Sequence, residues 1–414
     1  MKVKIIILTL LMTTIISANT QDNNLIKAAK TGNITSFEKA ITKGANVNAK
    51  DFWGLTPLIW ASRKGHIKIV KILLKKNVII NAKSNTGITA ISEACENSRQ
   101  EIVFLLISKG ADIRIIDKFH RTVLMFAAKS GNLKITKLLL SKGADLHAND
   151  KWNKTVLMYA AESGNAKLVK YLLSIGAKLK ATNKSGYTAF FIAARSNKWN
   201  IVKLLSLNGA DVNVREIVSN ISGQEGETAL IMAAKHGKLN IVKLLISKGA
   251  KINLKDKYGM SALTKATKYN RYNIMKLLLS KGSEVNIRDT WGFTPLFYSI
   301  KFSRLNQSDR MKITKLLLSK GAKVNIKDKY SVTPLMYSVS MGNYPIIRLI
   351  LKSGARINDK TKTGRTALWF AVYYLKHRNI NNKTRLGIIR LLKRYRGRMY
   401  RVYGSSEIEG MGGK

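Results

Sequence analysis

Acidic residues are scarce in this chain of 414 residues: 23 Asp and Glu stand against 73 Lys and Arg, a formal net charge of +50. An AT-rich genome would favour lysine and glutamate codons alike, so codon bias leaves the imbalance unexplained. Self-repulsion on this scale costs stability and favours anionic partners. Cysteine is nearly absent. The single one, Cys95, excludes an internal disulfide and any cysteine metal cluster, and its setting in ISEACEN reads as a small core position. With only four prolines, the chain suits packed helices better than disorder.

Chemistry-bearing patterns are also missing. The five histidines (His66, His120, His147, His236 and His377) have no cysteine or serine partner at a recognisable spacing. No His-Glu-x-x-His, phosphate-binding glycine loop or nucleophile elbow occurs. The polar residues recur along the chain instead of converging, so no catalytic residue, metal ligand or cofactor is assigned.

Long apolar runs are absent after the first residues. Lys2 and Lys4 precede an uncharged stretch from Ile5 to Ile16, and Ser17-Ala18 follow. A charged start, a short apolar run and small residues read as a signal peptide over 1–18, so the chain is expected to be exported, periplasmic or secreted from a bacterium. The run is too short to span a bilayer comfortably, which takes about 20 apolar residues.

What the chain does have is a repeat. DFWGLTPL begins at Asp51, DKFHRTVL at Asp117, DKWNKTVL at Asp150, DKYGMSAL at Asp256, DTWGFTPL at Asp289 and DKYSVTPL at Asp328; weaker copies begin at Ser84, Asn183 and Thr361. From Asp51 to Glu216 each step is 33 residues, and later steps of 40 and 39 are the same period with inserts. Such a period marks a stacked-repeat architecture. Within one unit, Thr122 caps a helix carrying Leu124, Ala127 and Ala128, Gly131 breaks it, and a second helix carrying Ile135, Leu138 and Leu139 stops at Gly143. Neither helix buries its apolar face alone, so neighbouring units must stack.

These motifs resemble the ankyrin repeat family, in the Asp-x-x-Gly-x-Thr-Pro-Leu turn and the Ile-Val-x-x-Leu-Leu-x-x-Gly-Ala-Asp-Val-Asn tail. The resemblance implies an all-α repeat solenoid of about eleven helix-loop-helix units with short β-hairpin turns. It spans 19–398, with units starting near 22, 51, 84, 117, 150, 183, 216, 256, 289, 328 and 361 and a flexible tail over 399–414. The family's histidine after Thr-Pro-Leu is replaced by Ile59, Met125, Met158 and similar apolar residues, so packing is expected to tie the units there. Inserts at 216–227, 303–310 and 376–385 are expected to emerge as surface loops.

Two surfaces stand out. Aromatic rings recur just before the turn glycine slot, at Trp53, Phe119, Trp152, Tyr258, Trp291 and Tyr330, with lysine before four of them at Lys118, Lys151, Lys257 and Lys329. By the resemblance, hairpin tips and first helices line the partner-gripping groove, which adds Arg63, Lys64, Lys129, Arg195, Lys235, Lys268 and Tyr269. Rigid rings and Arg dominate interface energetics, though the same rings can also stiffen the row of hairpins. A second column on the second helices holds Lys71, Lys137, Lys170, Lys203, Lys243, Lys276, Lys315, Arg348 and Arg390. Together these point to an exported, non-catalytic scaffold binding an acidic protein partner. The alternatives are electrostatic docking to an anionic membrane or envelope polymer, or a secreted effector engaging host proteins. Nucleic acid fits the charge, but an exported chain seldom meets it and no groove-reading motif occurs.

Overall fold

A computed structural model describes residues 20–215, 226–301, 306–377 and 380–397. The expected signal peptide over 1–18, the tail over 399–414 and most of the 216–227 insert lie outside the described residues. The chain divides into two compact units between Asp211 and Val212. In the first unit, a helix over 20–31 pairs with Ile34–Thr42, and five further helix pairs follow, from Pro57–Lys64 with Ile67–Leu74 to Ala189–Arg195 with Trp199–Leu207. The second unit holds five pairs, from Ala229–Lys235 with Leu239–Ser247 to a last pair closed by Asn382–Arg394. The described residues thus form eleven helix pairs and no extended strand. At the expected hairpins the β structure is confined, among the described residues, to isolated bridges at Ile116 to Thr122, Asn149 to Thr155 and Arg215 to Thr228.

The local causes repeat. The hydroxyl of Thr56 accepts from the Ile59 amide, and Pro57 at the first helical position needs no amide partner. The helix Pro57–Lys64 buries six of its eight residues and leaves through Gly65 at φ 89°. Its partner Ile67–Leu74 buries only Ile69, Val70 and Leu73, roughly 1.5–3 kcal/mol each, so its other face meets solvent. The slot that lost the family's histidine is not closed by packing alone. In two units a sulfur takes the place of a polar side chain: the Thr122 and Thr155 amides donate to Sδ of Met125 and Met158 at 3.5 and 3.4 Å.

Successive pairs are held in register by hydrogen bonds between equivalent slots. The Asn48 side chain donates to the Asn77 carbonyl and accepts from the Ile79 amide. In the second unit Asn213, Asn286 and Asn325 each grip the next second-helix end in the same way, as Asn286 does with the Gly321 carbonyl and the Lys323 amide. Helix pairs one period apart therefore repeat their placement within each unit.

In the inserts at 303–310 and 376–385, residues 303–305 and 378–379 lie outside the described residues, and the described parts correct the surface-loop expectation. Residues Gln307–Arg310 extend the second helix of their pair to 13 residues, capped by Asn306, and Arg310 turns inward. Its guanidinium donates to the carbonyls of Ser299 and Ile300, at the end of the first helix Pro295–Lys301. In the last pair, Phe370–Tyr374 winds as a π-helix continued by Leu375–His377, and Asn382–Arg394 starts inside the insert. The added residues lengthen helices because capping asparagines, Asn306 and Asn381, let them propagate.

Candidate functional site

The hairpin tips are built by their aspartates. Oδ1 of Asp51 accepts from the amides of Trp53 and Leu55, and Asp117, Asp150, Asp256, Asp289 and Asp328 do the same two and four residues on. The aromatic residue is therefore the one whose amide the aspartate pins. Among the described residues a single backbone bond then joins one tip to the next. The Lys118 amide donates to the Thr86 carbonyl, Lys151 to Phe119 and Lys184 to Trp152, each at 2.9 Å. In the second unit Thr290 donates to Tyr258, Lys329 to Trp291 and Lys362 to Tyr330 at 2.9–3.1 Å. The approach is close enough that a Cβ on Gly259, already at φ 76°, would meet Asp289 Cα at 2.8 Å.

This ladder sets the rings side by side. Phe119 and Trp152 stack with centroids 5.5 Å apart, Tyr258 and Trp291 at 6.0 Å, while Trp53 stands edge-on to its neighbour Phe52. The rings divide by burial. Tyr258 and Trp291 pack against a core cluster of Met260, Phe293, Phe297 and Tyr298. By contrast Trp53 is 59% exposed, Trp152 50% and Tyr330 52%. Lys118, Lys151 and Lys329 are exposed beside them, with Lys329 Nζ 4.9 Å from the Tyr330 ring and Lys257 Nζ 5.1 Å from that of Tyr258.

On the first helices the cations are unequal. Arg63 forks onto Glu93 at 2.6 and 2.8 Å, and that bond lifts its pKa above the ordinary arginine value despite partial burial. Lys129 pairs with Glu96 at 2.6 Å and Lys235 reaches Glu227 at 3.4 Å. Arg195 donates to the Tyr187 hydroxyl, and Lys268 lies over the rings of Tyr269 and Tyr298 at about 6 Å. Lys64 is exposed. The exposed cations at Lys64, Lys118, Lys151 and Lys329 are in no ion pair among the described residues, whereas Arg63, Lys129 and Lys235 are already engaged within the chain.

The second oxygen of the turn aspartates carries a pattern that sequence reasoning missed. Oδ2 of Asp51 accepts from Trp60 Nε1, that of Asp150 from the Tyr159 hydroxyl, that of Asp289 from Tyr298, and that of Asp328 from Tyr337. Lys265 Nζ takes the same place at Asp256, 2.8 Å away, and also lies 2.9 Å from Glu227 Oε1. In all five the donor stands nine residues after the aspartate, a spacing that could have been read as a signal. Burial raises the pKa of Tyr159, Tyr298 and Tyr337 well above the usual tyrosine range, and their aspartate partners add to it. Burial likewise lifts the Cys95 thiol far above its usual value, as a core thiol requires. Among the described residues no cluster of His, Cys, Asp and Glu could hold a metal ion.

Capped helix pairs repeated at a fixed period within each unit, their hairpin tips joined by single backbone bonds, define a repeat protein. The chain belongs to the ankyrin repeat family: the family model of ankyrin repeats in three copies matches residues 25–117, 124–216, 214–289, 278–361 and 307–383. Ankyrin repeats are generally protein–protein interaction modules, and the family is typically non-catalytic. No curated protein matches the chain at a significant level.

Proposed function

We propose that this chain is an exported, non-catalytic scaffold that binds an acidic segment of a partner protein along its hairpin tips and first helices. The observation that carries the reading is the hairpin ladder, which holds half-exposed rings and free lysines in one register: Lys118 and Phe119, then Lys151 and Trp152. Rings of this kind lose little conformational entropy when covered, and adjacent lysines favour carboxylates over cations. Arg63 and Lys129, being paired internally, set shape there more than charge. Export rests on the charged start and apolar run of residues 1–18, and periplasmic retention or secretion follows from the same segment.

A salt-graded pull-down from the producing cell's envelope fraction tests this, with captured proteins identified. Capture of an acidic protein should survive moderate salt and collapse when Trp53, Trp152 and Trp291 are replaced by Ala. Capture that ignores those substitutions would remove the hairpin tips from the partner site.

A further inference from the structure

In the second unit the solvent face of the second helices pairs two columns. One is basic: Lys243, Lys276, Lys315, Arg348 and Arg390, all exposed and in no ion pair among the described residues. The other lies one helical turn earlier, at i−4, and is apolar in every case: Leu239, Tyr272, Met311, Tyr344 and Leu386. Residues four apart share a helix face. Tyr344 and Leu386 are 38% and 46% exposed, and the other three are half-buried. A further base closes each helix, as Lys248, Lys281 and Lys320 do in the first three. The only acid on these five helices is Asp309, which accepts from the Asn270 side chain.

We propose that this face docks the protein on an anionic lipid bilayer, the apolar column entering the interface and the basic column meeting headgroup phosphates. Charge alone would fit any polyanion. The apolar residue one turn from every base favours a bilayer, where a basic side chain lays its stem along apolar neighbours and keeps its charged head among the headgroups. Three of the five are lysines, compact point charges without a fork for bidentate recognition, which suit a diffuse layer of headgroups. These helices also pack side by side, as Tyr344–Lys352 does against Asn382–Arg394, so none is free to enter a duplex groove. The proposal uses a different face from the hairpin tips and stands whether or not they bind protein.

The test is co-sedimentation of the full chain with vesicles of phosphatidylcholine alone and of phosphatidylcholine mixed with phosphatidylglycerol. The apolar N-terminal run is present in every sample, so the ratio between the two isolates the charge-dependent part of binding, and the variants assign that part to this face. Binding should favour the anionic vesicles at least tenfold and weaken with salt. Replacing Lys243, Lys276 and Lys315 by Gln should reduce it on the order of a hundredfold, at about fivefold per lysine. Leu386→Ser should lower what survives at high salt. If the triple variant fails to melt cooperatively, Lys248→Gln with Lys281→Gln and Lys320→Gln serves instead. Equal binding to both vesicles overturns the proposal, as does binding unchanged in the triple variants. Tighter binding to duplex DNA than to anionic vesicles, lost in the same variants, would also overturn it and assign the face to nucleic acid.

Discussion

Phe119 and Trp152 occupy the same slot of successive repeats and stack with ring planes 21° apart, because the Lys151 amide donates to the Phe119 carbonyl. Since Phe119 is half-buried and Trp152 half exposed, the pair contributes only about 0.5–1.5 kcal/mol beyond its buried area. Phe119→Ala should therefore lower the melting temperature slightly while making Trp152 more accessible to acrylamide, which tryptophan quenching reads. Quenching identical to the parent protein would mean that the stack does not persist in solution.

Lys265 makes a sharper case. It is 5% exposed between Asp256 and Glu227, themselves each 5% exposed. Burial pulls its pKa down, yet the bond to Asp256 and the charge of Glu227 outweigh this and the net shift is upward. Lys265→Ala removes the cation from buried Asp256 and leaves Glu227 the longer contact to Lys235, and should cost about 3–5 kcal/mol. Combining Lys265→Met with Asp256→Asn and Glu227→Gln should recover most of that loss, because the buried carboxylate charges go too. Thermal melts of the single and triple variants check both; a triple variant no better than Lys265→Ala would refute the buried-charge account.

The repeat, its caps and its stops were legible because each depends on residues close in sequence. Thr56 caps its own helix, and Gly65 leaves it in the left-handed conformation that the broken periodicity requires. The basic column was legible too, since Lys243 and Lys276 sit one period apart at a solvent slot. Pairing was not. Arg63 reads as a free groove cation until Glu93, one unit later, is seen to take two of its three guanidinium nitrogens. The inserts misled for a related reason: an added segment usually loops out, but Asn306 supplies a cap and Arg310 a buried donor, so the helix grows instead.

The aspartate–tyrosine pairs predict alkaline behaviour. Tyr159, Tyr298 and Tyr337 hold their protons in the fold well above the ordinary value of about 10. A group whose folded pKa is raised contributes stability fully below its unfolded pKa, and loses it as pH rises past that value toward the folded one. Stability should therefore fall above pH ~10, where the unfolded chain releases these protons first. Of fifteen tyrosines, these three should absorb as tyrosinate only as helical ellipticity is lost. Complete titration before any loss of ellipticity would exclude the pairs. Tyr298→Phe, which leaves Asp289 Oδ2 without its hydroxyl donor, should cost about 1–3 kcal/mol at neutral pH.

Arg310 offers the last test, because it converts an insert into part of the core. Its guanidinium is buried, which lowers its pKa, and it donates to the Ser299 and Ile300 carbonyls near the end of Pro295–Lys301. Those carbonyls are among the four that a helix end leaves unsatisfied. Arg310→Met removes the donor while keeping much of the volume, and should cost about 2–4 kcal/mol, since a bond to a charged group contributes about 1.5–3. Arg310→Lys should recover only part, because both bonds come from Nη1 and a lysine ammonium, one bond nearer the backbone, reaches the two carbonyls less well. Hydrogen exchange locates the effect: amides of Pro295–Lys301 and Gln307–Ser319 should lose protection before those of Pro57–Lys64 in the first unit. A uniform loss, or an unchanged melting temperature, would show that the extension Gln307–Arg310 is a passive addition to its helix.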